Sequence, residues 1–279
     1  MLNVTGRISM IKQPRGGYLK PSAFQQVQFN DGISADEPEN ISPSVIGTVT
    51  DYLLRFVAGD EIRKAFCVPL AGAQTAQSYY GNGKTDYLST AGSLAERINK
   101  SLDDDCIIAA CKLVTFDGFA RGLPSIAITP SEVINPDLIT INHIRLFVQR
   151  GHVFLQEHGP VIETGFNFFS PEFIDREHHP ESSIFDGGYT PTVMEGEGDF
   201  LTADTLWDIK VLKNGILPKH TLQILMYWIM GQYSRQSMYK GITKIGIFNP
   251  RHNIAYWMDV STIPHETIEE VENNVICYE

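Results

Sequence analysis

Cysteine is sparse in this chain, and none of it is arranged as a site. Cys67, Cys106, Cys111 and Cys277 are scattered, with no C-x-x-C pair and no histidines at zinc-finger spacing. Nothing in this pattern argues for a disulfide framework or a structural zinc, no iron–sulfur cluster is expected, and buried free thiols are the expectation. Long apolar runs are also missing. The longest purely apolar and aromatic stretch covers residues 224–230, far short of the roughly 20 residues a membrane span needs. The stretch from Met1 to Arg7 lacks the charged-then-apolar layout of a secretory signal. The expectation is a cytoplasmic protein with no membrane partner. Positive charge is in short supply: 22 Lys and Arg against 33 Asp and Glu leave a net charge of −11. Such a chain should not coat nucleic acid indiscriminately, because non-specific affinity comes from neutralising phosphates. A nuclease is still compatible, since its cleft needs carboxylates and only local positive charge. Internal repeats and low-complexity tracts are absent.

What is present suits a folded chain. With 279 residues, 43% hydrophobic and 20% charged, it can bury a full core as one large domain or one domain with a sizeable insertion. Residues 1–40 read as an irregular N-terminal arm. Its first thirty residues hold Arg7, Lys12, Arg15 and Lys20, no acid, and the aromatics Tyr18 and Phe24. Such an arm can touch a nucleic-acid backbone or simply pack along the domain. Within residues 41–66, Ser42-Pro43 opens a helix, with Ser as N-cap and Pro at the first helical position. Val45, Val49, Tyr52, Leu53 and Phe56 give that helix a buried stripe. Residues 75–159 read as a mostly helical insertion. Residues 160–260 read as a core sheet with a helix, with strands at 161–169, 192–201, 205–212, 242–248 and 254–260 and a helix near 219–234. The run Glu177-His178-His179-Pro180-Glu181 is contiguous and follows no metal-ligand spacing, so it reads as a solvated loop. An acidic surface helix is expected near 266–272. The layout is α/β: a mixed sheet with helices against it.

The informative stretch runs from Glu195 to Lys210. If 202–205 connects an antiparallel hairpin, Asp199 faces Asp208 and Glu197 faces Lys210. Facing Cβ atoms lie roughly 4.5–5.5 Å apart, and like charges so placed destabilise a sheet. A divalent cation removes that cost, since Mg²⁺ is typically held by one or two carboxylates with waters and phosphate. Two solvated acids on a wet sheet edge are the competing reading. Lys210 shares the strand face of Asp208, where its charge can stabilise hydroxide and the developing phosphorane. Glu197 either orients that ammonium or quenches it. Trp207 and Ile209 alternate with the polar pair and are expected to point into the core. On the next helix, Leu222, Leu225, Met226, Ile229 and Met230 form a core face. Gln223 and Tyr227, four apart on its flank, can project over the strand pair.

Gly198-Asp199, Asp208-Ile209-Lys210 and Gln223-x-x-x-Tyr227, in that order, resemble the PD-(D/E)XK nuclease superfamily, and most closely its RecB-like exonuclease branch. The resemblance covers residues 161–260 in layout, while its specific residues lie between Asp199 and Tyr227. It implies a restriction-endonuclease-like fold in which Asp199, Asp208 and the Ile209 carbonyl ligate Mg²⁺ or Mn²⁺. It also implies that Lys210 activates the attacking water, that Gln223 and Tyr227 belong to the catalytic set, and that DNA is the substrate. Gly198 replaces the family's proline, and the acid of the third motif is Asp rather than Glu. The family's early-helix ligand is matched by Asp51 in Gly47-Thr-Val-Thr-Asp51-Tyr-Leu-Leu54. The helical wheel turns Asp51 away from the apolar stripe, so a plain exposed aspartate is an equal reading.

Two classes of function follow. One is a Mg²⁺-dependent deoxyribonuclease, an exonuclease of recombination, repair or phage biology, with an endonuclease on the same fold as a variant. The other is a catalytically lapsed DNA-binding or protein-interaction module of phage or recombination machinery. Oligomers, ring-forming ones included, are compatible with either.

Overall fold

The computed structural model describes residues 2–81, 83, 85–122, 130–169 and 187–278. The Glu177–Glu181 run lies outside them. In chain order the N-terminal half holds α1 (Val4–Met10), β1 (Gln25–Gln28), α2 (Pro43–Ala58), α3 (Ile62–Ala65) and α4 (Cys67–Tyr80). Next come α5 (Tyr87–Glu96), α6 (Asp104–Val114), α7 (Asp117–Ala120) and α8 (Leu138–His158). The remainder holds β2 (Val161–Thr164), β3 (Asn167–Phe169), β4 (Glu195–Glu197), β5 (Phe200–Thr202) and β6 (Thr205–Ile209). It closes with α9 (Pro218–Tyr233), β7 (Lys244–Asn249), β8 (Ile254–Asp259) and α10 (His265–Glu270). These divide into two compact units, residues 1–30 with 156–279, and residues 31–155.

The second unit is helical. Ser42 caps α2 as its sequence demands, its side chain accepting from the Ser44 N–H at 3.3 Å. The buried face of α2 is shifted from the expected stripe: Ile46, Thr50 and Leu54 join Val49, Tyr52 and Leu53, while Val45 and Phe56 are only half-buried. Two glycines allow close helix approach: a Cβ on Gly72 would stand 2.0 Å from the Phe116 carbonyl oxygen, and one on Gly151 2.6 Å from Leu54. Arg150 is buried against Asp31, with contacts of 2.7 and 2.8 Å to the two carboxylate oxygens. Cys106 and Cys111 are core thiols, and burial pushes the Cys111 thiol up to about 12. Cys67, by contrast, is exposed and departs from the buried expectation.

The first unit is a mixed α/β body. Its six-stranded sheet has the order β1-β8-β7-β6-β5-β2, with β6 and β7 parallel and the other neighbours antiparallel. The parallel step is a β6–α9–β7 unit, the usual way of joining parallel neighbours. A small second sheet pairs β3 with β4. The first thirty residues are not irregular throughout. Asn3 caps α1, accepting from the Gly6 N–H at 2.6 Å, and Val4 and Ile8 seat that helix on the core. Gln25–Gln28 pairs with β8 as an edge strand, and the Gln28 amide donates to the His252 carbonyl at 2.5 Å, a pairing that an exposed, mostly polar run does not announce.

The main core lies on the sheet face carrying Leu206, Ile245 and Ile247, covered by Leu222, Leu225, Met226 and Ile229 of α9. Alternation puts Asp208 on that same face. Trp207 and Ile209 point to the opposite face, where the Trp207 ring meets His158 edge-on at 5.9 Å. Both faces of β6 are therefore covered: every residue from Thr205 to Ile209 is buried. The expectation of one core face and one polar face fails here because β6 is a central strand between β7 and β5.

The Trp207 indole lies across Gly246, where a Cβ would come within 2.1 Å of Cζ3. Gly246→Ala is expected to destabilise the chain by about 1–3 kcal/mol through overpacking, read from urea unfolding. Gly241→Ala, whose nearest neighbour would be an ordinary 3.5 Å away, should leave the midpoint unchanged; equal effects would contradict this packing.

Candidate active site

Leu201 stands opposite Leu206 and Phe200 opposite Trp207. This is the register that a turn through 202–205 requires. The ladder stops at Phe200, because the chain bends at Gly198–Asp199 and leaves the sheet. Continuing the alternation of an antiparallel ladder, Gly198 would exchange hydrogen bonds with Ile209. Instead the Gly198 N–H donates to the Phe166 carbonyl at 2.9 Å, and the Ile209 N–H donates to Asp199 Oδ2 at 2.6 Å. The Asp199 carboxylate thus takes the place of a strand peptide at the end of β6. Glu197 is not opposite Lys210 in a common ladder; it lies in β4, where its partner is Asn167.

Gly198 has a local reason. A Cβ there would lie 1.9 Å from Phe166 Cζ, so neither proline nor alanine fits beneath that ring. Phe166 in turn meets Tyr227 edge-on at 5.7 Å, which ties the bend to α9.

Asp208 is 1% exposed. Its Oδ1 accepts from Lys210 Nζ at 3.0 Å, and the same ammonium is 3.0 Å from Oδ2 at an angle that makes an ion pair but no hydrogen bond. Burial pushes the Asp208 carboxyl up to about 7, with the charge of Asp199 adding to it and Lys210 pulling the other way. Above it on α9, Gln223 Nε2 donates to the Tyr227 hydroxyl at 2.9 Å. That hydroxyl is buried and pushed upward, chiefly by burial and then by the charge of Asp208, with smaller effects of Asp199 and Glu197. Asp199, Asp208, Lys210, Gln223 and Tyr227 therefore belong to one neighbourhood. Asp51 lies in the other unit, on α2, where Arg55 grips both its oxygens at 3.0 and 2.7 Å.

His220 is the neighbour that sequence reading missed. It lies three and seven residues before Gln223 and Tyr227, on one helical stripe, and that spacing was a usable signal. Its Nδ1 accepts the Leu217 N–H at 3.1 Å, which leaves the proton on Nε2. Burial holds it down to about 4, helped by the charges of Lys210 and Lys219.

Among the described residues no three His, Cys, Asp or Glu side chains are grouped to hold a metal ion. A site of two carboxylates and a peptide oxygen does not need a third such side chain, because Mg²⁺ keeps waters and substrate oxygens in its shell. The donors here are hard oxygens. The buried Asp208 Oδ2, without a hydrogen bond, is the kind of atom such an ion would satisfy. The residues present therefore fit Mg²⁺ or Mn²⁺. No family model, curated protein or solved structure matches this chain.

The raised Asp208 carboxyl has a thermodynamic sign. The folded chain takes up this proton more readily than the unfolded one, so stability from this group falls as pH rises from about 3.9 to about 7. Asp208→Asn, permanently neutral, should make the metal-free protein more stable than its parent at pH 8 and give no gain at pH 4. Urea unfolding at both pH values checks this, and a loss at pH 8 would contradict it.

Proposed function

We propose that this chain is a metal-dependent nuclease that hydrolyses DNA phosphodiester bonds, an exonuclease built on a restriction-endonuclease-like core of the RecB-like PD-(D/E)XK kind. The observation that carries the reading is the buried Asp208 carboxylate, 3.0 Å from Lys210 Nζ and under the influence of the Asp199 charge. A buried carboxylate destabilises a fold unless it is paired, and a second acid beside it adds to that cost. Such a combination makes sense where a cation is to be bound.

Asp199, Asp208 and the Ile209 carbonyl would hold Mg²⁺ or Mn²⁺. When bound, that ion supplies Lewis-acid polarisation of a phosphoryl oxygen and charge stabilisation. Lys210, just past the end of β6 and two residues beyond Asp208, would hold the attacking water and stabilise charge on the phosphorane oxygens. Gln223 and Tyr227, already bonded to each other, offer an amide and a hydroxyl to water or a phosphate oxygen. Asp51, gripped by Arg55, is left out of this set.

Lys210→Ala should lower Mg²⁺-dependent DNA cleavage by at least about 100-fold with unchanged circular dichroism. Undiminished cleavage would remove Lys210 from the mechanism. Calorimetry with Mn²⁺ tests the ligands: binding by the parent chain and its loss in Asp199→Asn are expected. Absence of binding by the parent would favour the lapsed module. End-labelled linear DNA compared with closed circular DNA distinguishes exonuclease from endonuclease action.

A further inference from the structure

The acidic total conceals an uneven distribution. Residues 1–30 contain Arg7, Lys12, Arg15 and Lys20 and no acid, and residues 209–258 contain seven Lys and Arg and again no acid. Both segments belong to the sheet unit; besides the pairing of β1 with β8, the fold brings them together at the start of α9. The Leu19 carbonyl accepts the Thr221 hydroxyl at 2.6 Å. Gly17 sits so close to Pro218 that an added Cβ would be 2.6 Å from the proline Cβ. The arm leading to Lys20 therefore lies against the first turn of α9, the turn that carries Lys219 and His220. Lys12, Arg15, Lys20 and Lys219 are exposed. None of these four is in an ion pair among the described residues. The charges of Lys219 and of Lys210 both act on His220, so this cationic edge reaches the lysine beside Asp208.

A polyanion approaching Asp199, Asp208 and Glu197 on a chain of net charge −11 meets repulsion. Charges more than about 8–10 Å away are largely screened at ordinary ionic strength. The attraction that brings a phosphate to such a site must therefore come from cations at its rim. We propose that Lys12, Arg15 and Lys20 of the arm, with Lys219 of α9, form the rim that seats the sugar-phosphate backbone of nucleic acid entering the Asp208–Lys210 site. The proposal rests on the nuclease reading for its substrate, and on the docking of arm to helix for its location.

The test is fluorescence anisotropy with a labelled DNA duplex bearing a single-stranded end, in chelator so that nothing is cleaved. Arg15→Gln with Lys20→Gln should weaken binding about tenfold and reduce the slope of log affinity against log salt by about one to two. Arg235→Gln with Lys240→Gln removes the same charge beyond the far end of α9, a 16-residue helix about 24 Å long. That pair should change affinity less than about twofold. Equal losses from both pairs, loss from neither, or no binding by the parent chain would overturn the rim. Mg²⁺-dependent cleavage by the parent is scored separately. Cleavage without a rim effect sinks the rim alone. Rim-dependent binding without cleavage sinks the nuclease reading and leaves a polyanion-binding surface.

Discussion

Burying the Asp208 carboxylate beside a second acid is an electrostatic constraint that the neighbouring elements meet one at a time. Lys210, the residue after β6, supplies an ammonium 3.0 Å away. Asp199 is held back from full opposition by the Ile209 N–H, which takes one of its oxygens at 2.6 Å. Gln223 and Tyr227 close the site from α9 with a pair of neutral polar groups rather than another charge. Each device depends on β6 being central: an edge strand would be wet, and wet carboxylates need none of this. The interior position raises the Asp208 carboxyl towards neutrality, and it would make the proposed cation between the acids worth more than in water.

The sheet unit separates its charges along the chain. Its acids lie before residue 209 and again from Asp259 onward, while the stretch that builds α9, β7 and the connections to them carries only cations between Asp208 and Asp259. Docking the acid-free arm on α9 brings its cations to the helix end that carries Lys219. A protein of strongly negative total charge can in this way present positive potential at one place without becoming a general polyanion binder.

Local rules made several elements legible from the sequence. Ser42-Pro43 marked the start of α2, and the apolar spacing of Leu222, Leu225, Met226 and Ile229 marked α9 within a residue at each end. The turn through 202–205 set the register of β5 against β6. The spacing of Asp199, Asp208, Lys210, Gln223 and Tyr227 already implied one neighbourhood. Other features depended on contacts that no short window contains. Phe166 over Gly198 ends the ladder early and sends Glu197 to Asn167. Burial of Asp208 required knowing that β7 flanks β6 in parallel and that α9 covers the Leu206 face. His220 escaped because attention to a Gln-x-x-x-Tyr pair stops short of the residue three positions earlier. The strand at Gln25–Gln28 has a single apolar residue, Val27, and all four side chains are exposed, so no alternation marks its pairing with β8.

The bend at Gly198 gives Asp199 two employments. As a surrogate peptide it completes the end of β6, and as an oxygen donor it faces the space beside Asp208. An incoming ion that draws on the same oxygen competes with the Ile209 amide already seated there. Occupancy of the proposed site and fraying of that strand end would then be linked: tighter coordination through this oxygen would loosen the backbone bond. On the proposed reading, the hold on such an ion would depend on main-chain geometry at a bend fixed by the packing of Phe166 on Gly198.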